Sequence, residues 1–226
     1  MTPTYLITGV ANEQSLAWAI SQRLLEDSAD CYFAVLPANL GRVRRLLART
    51  GIEDRLLPLD AASDESIAEL ATALQGRLTK LKGVLHSIAY APLEELAEGT
   101  LAVTRDGFRQ TMDISVYSLI ALTRALQPLL ERGSSILTLS YYGSQKAVPG
   151  YGLMGVAKAG LESLVRYLAA DLGPAGIRVN ALSAGPMLTL SSSVFEDIED
   201  KIALAATRTP LRRITEPEDV ANAARS

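Results

Sequence analysis

Short apolar runs alternate along this chain with stretches whose apolar residues recur every three or four positions. "TYLITG" is a run of the first kind, closed by a glycine. "LAWAISQRLLEDSA" is of the second kind, with Leu16, Ile20 and Leu24 on one helical face. The alternation then repeats. "CYFAVL" is a strand stopped by Pro37, and "NLGRVRRLLA" a short helix. "RLLPLD" is a strand ending at Asp60. "SDESIAELATALQGRL" is a helix with Ser63 as its cap and Ile67, Leu70, Ala71 and Leu74 as its apolar face. Ser66 stands at the third position, where a complete capping box has an acid or amide. "GVLHSIA", "SSILTLS" and "IRVNALSAG" supply the fourth, fifth and sixth strands. Two long helical segments lie between them, residues 105–130, broken near Pro128, and residues 151–172.

The strands are apolar at nearly every position, which a strand needs when helices cover both faces of its sheet. The expectation is an α/β doubly wound Rossmann fold with a parallel sheet of about six strands. Residues 1–226 would form a single dinucleotide-binding domain that also carries the catalytic site. Residues 186–213 make a long connection with one or two short helices. Connections of that length in compact domains are usually functional or mobile. A last helix opens with Pro217 in its first turn.

Composition narrows the function by exclusion. Of 226 residues, 48% are hydrophobic and 21% charged, with net charge −3 and pI near 5.3. No basic tract with interleaved aromatics is present, so a nucleic-acid partner is not expected. No run of 18 apolar residues is present, so no membrane span is expected. The N-terminus lacks the basic, then apolar, signal-peptide pattern. The expected compartment is the cytoplasm, or the plastid stroma for a chain supplied without its transit segment. One cysteine, Cys31, excludes an intrachain disulfide and reads as a buried thiol. One histidine, His86, cannot build a metal cluster and reads as structural, or as a wall near a cofactor.

In a doubly wound sheet, ligands bind at the carboxyl ends of the strands. After the first strand, "GVANEQSL" carries Gly9, Ala11, Ser15 and Leu16 where a pyrophosphate would meet backbone N–H groups and a helix N-terminus. Ala11 and Ser15 replace glycines of the tighter fingerprint. Ser15 would either donate to a phosphate or cap the helix. The second strand ends "AVLPANLGR" without an acid; Leu36 and Pro37 would edge the adenosine, and Arg42 and Arg44 face solvent. NADH is the expected cofactor, with NADPH left open. Asp60 would accept from the adenine amino group, or serve as a charge near the next helix.

The stretch "YYGSQKAVPGYGLMGVAK" sets Tyr141 at the lip of the crevice, beyond Ser140. Tyr151 and Lys158, nearly two helical turns apart, share one face. Tyrosine titrates near 10, and a neighbouring ammonium favours its phenolate. Depressing it by two to three units takes roughly 3–4 kcal/mol. Lysine, a cofactor ribose and an oxidised nicotinamide could together supply much of that. The plainer alternative is a packed tyrosine with a solvated lysine.

Taken together, "TGVANEQSLAWAI", "LPLD", "HSIAYAP", "TRDGFRQTMDISVYSL", "LTLSYYGSQKAVPGYGLMGVAKAGLESLVRYLAADLGPAGIRVNALSAGP" and "TPLRRITEPEDVANAA" resemble the short-chain dehydrogenase/reductase superfamily. Within it they resemble the NADH-dependent enoyl-[acyl-carrier-protein] reductase branch. The tyrosine–lysine spacing points only to the superfamily; Tyr141, the "GVAN…S" loop and the "SAGP" exit are more specific. The resemblance implies reduction of the trans-2 double bond of an enoyl thioester in fatty acid elongation. Tyr151 would hydrogen-bond the thioester oxygen, Lys158 would hold the nicotinamide ribose, and Tyr141 would lie near the acyl chain and ring. Met154 and Phe195 would line the acyl pocket. Gly9, Ser15 and Leu16 would cradle the pyrophosphate, with Leu36, Asp60 and Ala61 by the adenosine. Ser87, Ile88 and Ala89 would pass along the cofactor, and Ala184, Gly185, Pro186 and Thr189 would cover the nicotinamide. A flexible lid would span about residues 188–208, centred on 190–202. The substrate would arrive on acyl carrier protein, and the helices at 105–130 and 151–172 would pair the chain into a homodimer or homotetramer.

Two departures shape the expectation. The sequence ends in the helix after "EPEDV", where members of the branch continue into a seventh strand; that strand would be missing and the sixth would be an exposed edge. Leu188 stands where arginine is usual, removing a charge from beside the cofactor. Two other functions therefore stay open. One is a 3-oxoacyl or carbonyl reductase, which Ser140 would serve. The other is a truncated dinucleotide-binding protein with weak or no turnover.

Overall fold

A computed structural model describes residues 2–188 and 198–225. Its sheet has six strands in the order β3-β2-β1-β4-β5-β6. These are β1 (Thr4–Thr8), β2 (Asp30–Val35), β3 (Leu56–Pro58), β4 (Leu81–His86), β5 (Leu130–Tyr141) and β6 (Arg178–Ala184). Every neighbouring pair is parallel. The order reverses between β1 and β4, so a crevice opens at their carboxyl ends.

Alternation along the strands feeds two cores. Leu6 and Ile7 are both fully buried but serve opposite faces. Leu6 packs with Ile67, Leu70 and Leu74 of α3 (Asp64–Gln75), Leu119, Leu122 and Leu126 of α6 (Ser118–Leu126), and Leu161 of α7 (Gly152–Leu172). Ile7 packs with Trp18 and Ile20 of α1 (Leu16–Glu26), Val43 and Leu47 of α2 (Leu40–Ala48), and Val220 and Ala221 of α9 (Pro217–Arg225). Cys31 is fully buried in this second core, and burial pushes its thiol up to about 12. Arg42 and Arg44 point to solvent from α2, as the helical pattern requires.

Ser63 caps α3 as expected, its hydroxyl accepting from Ser66 N at 3.1 Å. Three boundaries differ from the sequence expectation. Residues 105–130 are not one helix. A short α4 (Leu93–Glu98) precedes α5 (Arg105–Met112), and a wide turn over Asp113–Tyr117 joins α5 to α6. Such single wide turns sit inside helices, often at functional sites. This one aims Ser115 at the backbone of Tyr90, whose N–H it accepts from at 2.9 Å and whose carbonyl it donates to at 3.0 Å.

The fifth strand is longer than its apolar run. It starts at Leu130, because Leu81 pairs with Leu130 before a register shift brings Gly83 against Ser135. Ser134, polar but fully buried there, donates to Leu81 O at 2.7 Å. Tyr151 lies at the cap position of α7, not within the helix; its carbonyl accepts from Met154 N at 3.0 Å.

Among the described residues β6 is an edge of the sheet. The helix α8 (Ile198–Arg208) stands in the long connection. Thr189, Phe195 and most of the proposed lid centre lie outside the described residues.

Leu122, buried between α6 and the sheet, should be costly to truncate. Leu122→Ala is expected to lower unfolding free energy by about 2–5 kcal/mol in a urea titration. A loss below about 1 kcal/mol would mean that this layer is not close-packed.

Candidate active site

The carboxyl ends of β1, β4, β5 and β6 open onto a cavity of about 650 Å³, within the range of small-ligand pockets. It gathers the described residues that the sequence singled out. Gly9, Ser15 and Leu16 line one end, with Leu36, Asp60 and Ala61 beside them. Ser87, Ile88 and Ala89 run along its middle. Tyr141, Tyr151, Met154 and Lys158 line the other end with Ala184, Gly185 and Pro186, Tyr141 pairing with Ala184 across β5 and β6. The lining also includes Asn39, Tyr90, Leu96, Ile114, Val148, Ile198 and Lys201. The sequence did not single them out; they reach the cavity through loops, through Leu96 of α4, through Ile114 of the wide turn and through α8. Lys201 donates to Pro149 O at 2.8 Å, tying α8 to the turn before Tyr151.

The loop after β1 is shaped by two features. Gly9 has φ +80°, and a Cβ there would lie 1.7 Å from Ser87 O, so β1 and β4 can approach only with glycine at this position. Ser15 neither caps α1 with its side chain nor stands idle. Its hydroxyl accepts from Ala11 N and Asn12 N, each at 3.0 Å, and lies 3.2 Å from Asn12 Oδ1 as donor. Of the two roles expected for Ser15, the cap is thus corrected to a loop brace. The N-terminus of α1 still faces the cavity through Ser15 and Leu16, as an anion-binding turn requires. Asp60 Oδ1 accepts from Ala62 N at 3.0 Å, and Asp60 N donates to Ser66 Oγ of α3 at 2.9 Å. Its carboxylate is thus held at the cavity wall and is not part of the first turn of α3, where Asp64 and Glu65 stand. Leu188 is half exposed and does not line the cavity, so the expected charge loss beside a cofactor is not a feature of the described wall.

At the other end, the rings of Tyr141 and Tyr151 meet edge to face, 4.9 Å apart. Gly143 makes this possible, since a Cβ there would lie 2.5 Å from the Tyr151 ring. Lys158 is buried, with Nζ donating to Leu139 O at 2.8 Å. Burial lowers the ammonium to about 8, opposed by the charge of Glu162. The sequence led us to expect that Lys158, a cofactor ribose and an oxidised nicotinamide would together favour the Tyr151 phenolate. In the protein alone, burial, aided by Tyr141, raises the Tyr151 phenol above its ordinary value. The Lys158 ammonium is itself turned to a carbonyl. The outcome is a protonated hydroxyl, which can donate to a developing oxyanion.

Ser140 and Tyr141 both line the cavity, and hydrogen bonding distinguishes them. Ser140 Oγ donates to Glu162 Oε1 at 2.5 Å, which commits its hydroxyl to α7. His86 is fully buried outside the cavity lining, with Nδ1 3.0 Å from Thr138 Oγ1 and Nε2 2.8 Å from Ser118 Oγ. Burial, with the charge of Lys158, pushes it down to about 3. It is a neutral strut joining β4, β5 and α6.

Sheet order and crevice place the protein in the doubly wound, dinucleotide-binding class. The family model described as enoyl-(acyl carrier protein) reductase matches residues 9–226, and the chain belongs to that family. The NADH enoyl-[acyl-carrier-protein] reductase FabI of Salmonella typhimurium is 42% identical over 221 residues, covering 97% of this chain and 84% of that protein. The FabI of Aquifex aeolicus is 48% identical over 188 residues, covering 83% and 70% respectively. The crystal structure of the Bacillus cereus enoyl-acyl carrier protein reductase with NADP+ and indole naphthyridinone is 39% identical. It superposes with a TM-score of 0.94, covering 98% of this chain and 87% of that one.

The His86 strut makes a pH prediction. An unfolded histidine titrates near 6.5, while the folded ring holds out to about 3. Between these values only the unfolded state binds the proton. Stability is therefore complete above about 6.5 and falls with pH, by up to about 1.4 kcal/mol per unit. Urea melts at pH 7.5 and 5.0 should show a larger loss for the wild type than for His86→Gln. Equal losses would mean that the histidine is not held neutral.

Proposed function

We propose that this chain is an NADH-dependent enoyl thioester reductase. NADH, when bound, supplies a hydride. The carbonyl oxygen of the thioester gains negative charge as that hydride adds to the β-carbon, and a proton then completes the α-carbon. What the chain must supply is placement, and a donor for that oxygen. The Tyr141–Tyr151 pair above a buried Lys158 carries this reading. Tyr151 is the donor to the oxygen, kept protonated by its own burial. Lys158 holds the ribose hydroxyls. Gly9, Ser15 and Leu16 take the pyrophosphate, Leu36, Asp60 and Ala61 the adenosine, and Ala184, Gly185 and Pro186 the nicotinamide side. The residues fit such an elongated ligand, for they follow one another along a single cavity. Tyr141 and Met154 face the acyl chain.

Ser140 argues against the carbonyl reductase alternative, since its hydroxyl is held by Glu162 and does not stand free to aid Tyr151. The acyl chain is taken as a thioester on acyl carrier protein, in the cytoplasm. Among the described residues no helix is long and apolar enough to cross a membrane. Self-association fits exposed Phe108 on α5 and Val156 on α7, the two helices expected to pair copies of the chain.

Turnover is followed as loss of reduced nicotinamide absorbance with a trans-2-enoyl thioester. Tyr151→Phe removes the oxyanion donor and is expected to reduce kcat by about 10²–10³-fold, with NADH affinity kept. NADH binding without consumption in the wild type would replace this reading with that of a binding protein. Gly9→Ala is expected to weaken NADH binding more than tenfold in a fluorescence titration, because both its φ and the 1.7 Å approach to Ser87 O exclude a methyl group. Unchanged affinity would move the pyrophosphate away from this turn.

A further inference from the structure

Glu162 lies on α7 one turn beyond Lys158 and outside the cavity lining. It is nevertheless the most heavily engaged carboxylate near the site. Ser140 Oγ and Ser144 Oγ both donate to its Oε1, at 2.5 and 2.6 Å. Those serines flank Tyr141, one at the end of β5 and one in the turn that leads to Tyr151. A single oxygen thus clamps both sides of the tyrosine turn onto the helix that carries the lysine.

The same carboxylate is the only charge among the described residues that acts on Lys158 against its burial. Burial raises the Glu162 carboxyl, but Ser140, Ser144, Gln145 and Arg166 together hold it below the usual range, so it stays charged throughout the neutral region. Other titratable groups around Lys158 do not substitute for it. His86 on β4 is neutral, and Tyr151 at the head of α7 stays protonated.

We propose that Glu162 is a positioning residue of this site. Its carboxylate clamps the Ser140–Ser144 turn that presents Tyr141 and Tyr151, and its charge keeps Lys158 an ammonium in a buried setting. The inference rests on the cofactor reading of Lys158 above. An ammonium has three N–H donors, one for Leu139 O and two for ribose hydroxyls; a neutral amine loses one donor and the charge.

The test is NADH affinity against pH from 6.0 to 9.5, read by nicotinamide fluorescence and needing no turnover. Glu162→Gln keeps an oxygen for both serines and removes the charge. Its alkaline loss of affinity should begin lower than in wild type, by about half to one pH unit. Ser144→Ala removes one clamp hydroxyl and keeps the charge, so its pH profile should follow the wild type while kcat falls. Coincident profiles for Glu162→Gln and wild type, or equal shifts in the two variants, overturn the proposal. Thermal melts confirm folding. Should Glu162→Gln lose its cooperative melt, Glu162→Asp replaces it; its profile should follow the wild type, and a shifted one overturns the proposal. Failure of the reductase reading would show separately, as a wild type that binds NADH without consuming it.

Discussion

A buried ammonium is the constraint around which this site is arranged. Removing the charge of Lys158 from water is costly unless polar groups meet it. The Leu139 carbonyl does so directly and Glu162 does so through its field. Leu139 lies near the end of β5 and Glu162 one turn past Lys158 on α7, so α7 must lie close against the end of that strand. The turn between them must then be thin. Gly143 leaves room for the Tyr151 ring, and Gly155 for the Gly143 carbonyl. The tyrosine pair is a consequence of that close approach.

The switch point between β1 and β4 imposes a second, independent constraint. The 1.7 Å that a Gly9 Cβ would leave to Ser87 O shows how closely the two exits run. That closeness lets one cavity extend from the α1 N-terminus past Ser87–Ala89 to Tyr151. A ligand with a phosphate at one end and a reacting ring at the other fits this path. The braces around it are local and cheap: Ser15 on its own loop, Ser115 on Tyr90, His86 between Thr138 and Ser118. Ser15 and Ser115 satisfy polar groups where the backbone has left regular structure, and His86 does so between β4, β5 and α6.

Burial also sets the division of labour between the two ionisable groups. Burial disfavours the charged form of each, so tyrosine rises and lysine falls. Tyr151 stays a neutral phenol, while Lys158, at about 8, is still an ammonium at neutral pH. That favours a hydrogen-bond donor at Tyr151 over a phenolate, which suits stabilisation of an oxyanion formed by hydride addition.

The sequence by itself determined the strand and helix alternation, the doubly wound class, and the residues at strand exits from Gly9 to Pro186. These follow from short-range periodicity and from the rule that ligands meet parallel sheets at their carboxyl ends. It also held Tyr151 and Lys158 on one face, because seven residues nearly close two helical turns. Tertiary structure alone decided what those groups experience. The wide turn at Asp113–Tyr117, the early start of β5 and the recruitment of Lys201 depend on partners about 25 to 50 residues away in sequence. What holds the Ser140 hydroxyl, whether Ser15 caps or braces, and which way the Tyr151 phenol shifts in the protein alone all turn on distance and desolvation. Neither quantity exists until the chain has packed.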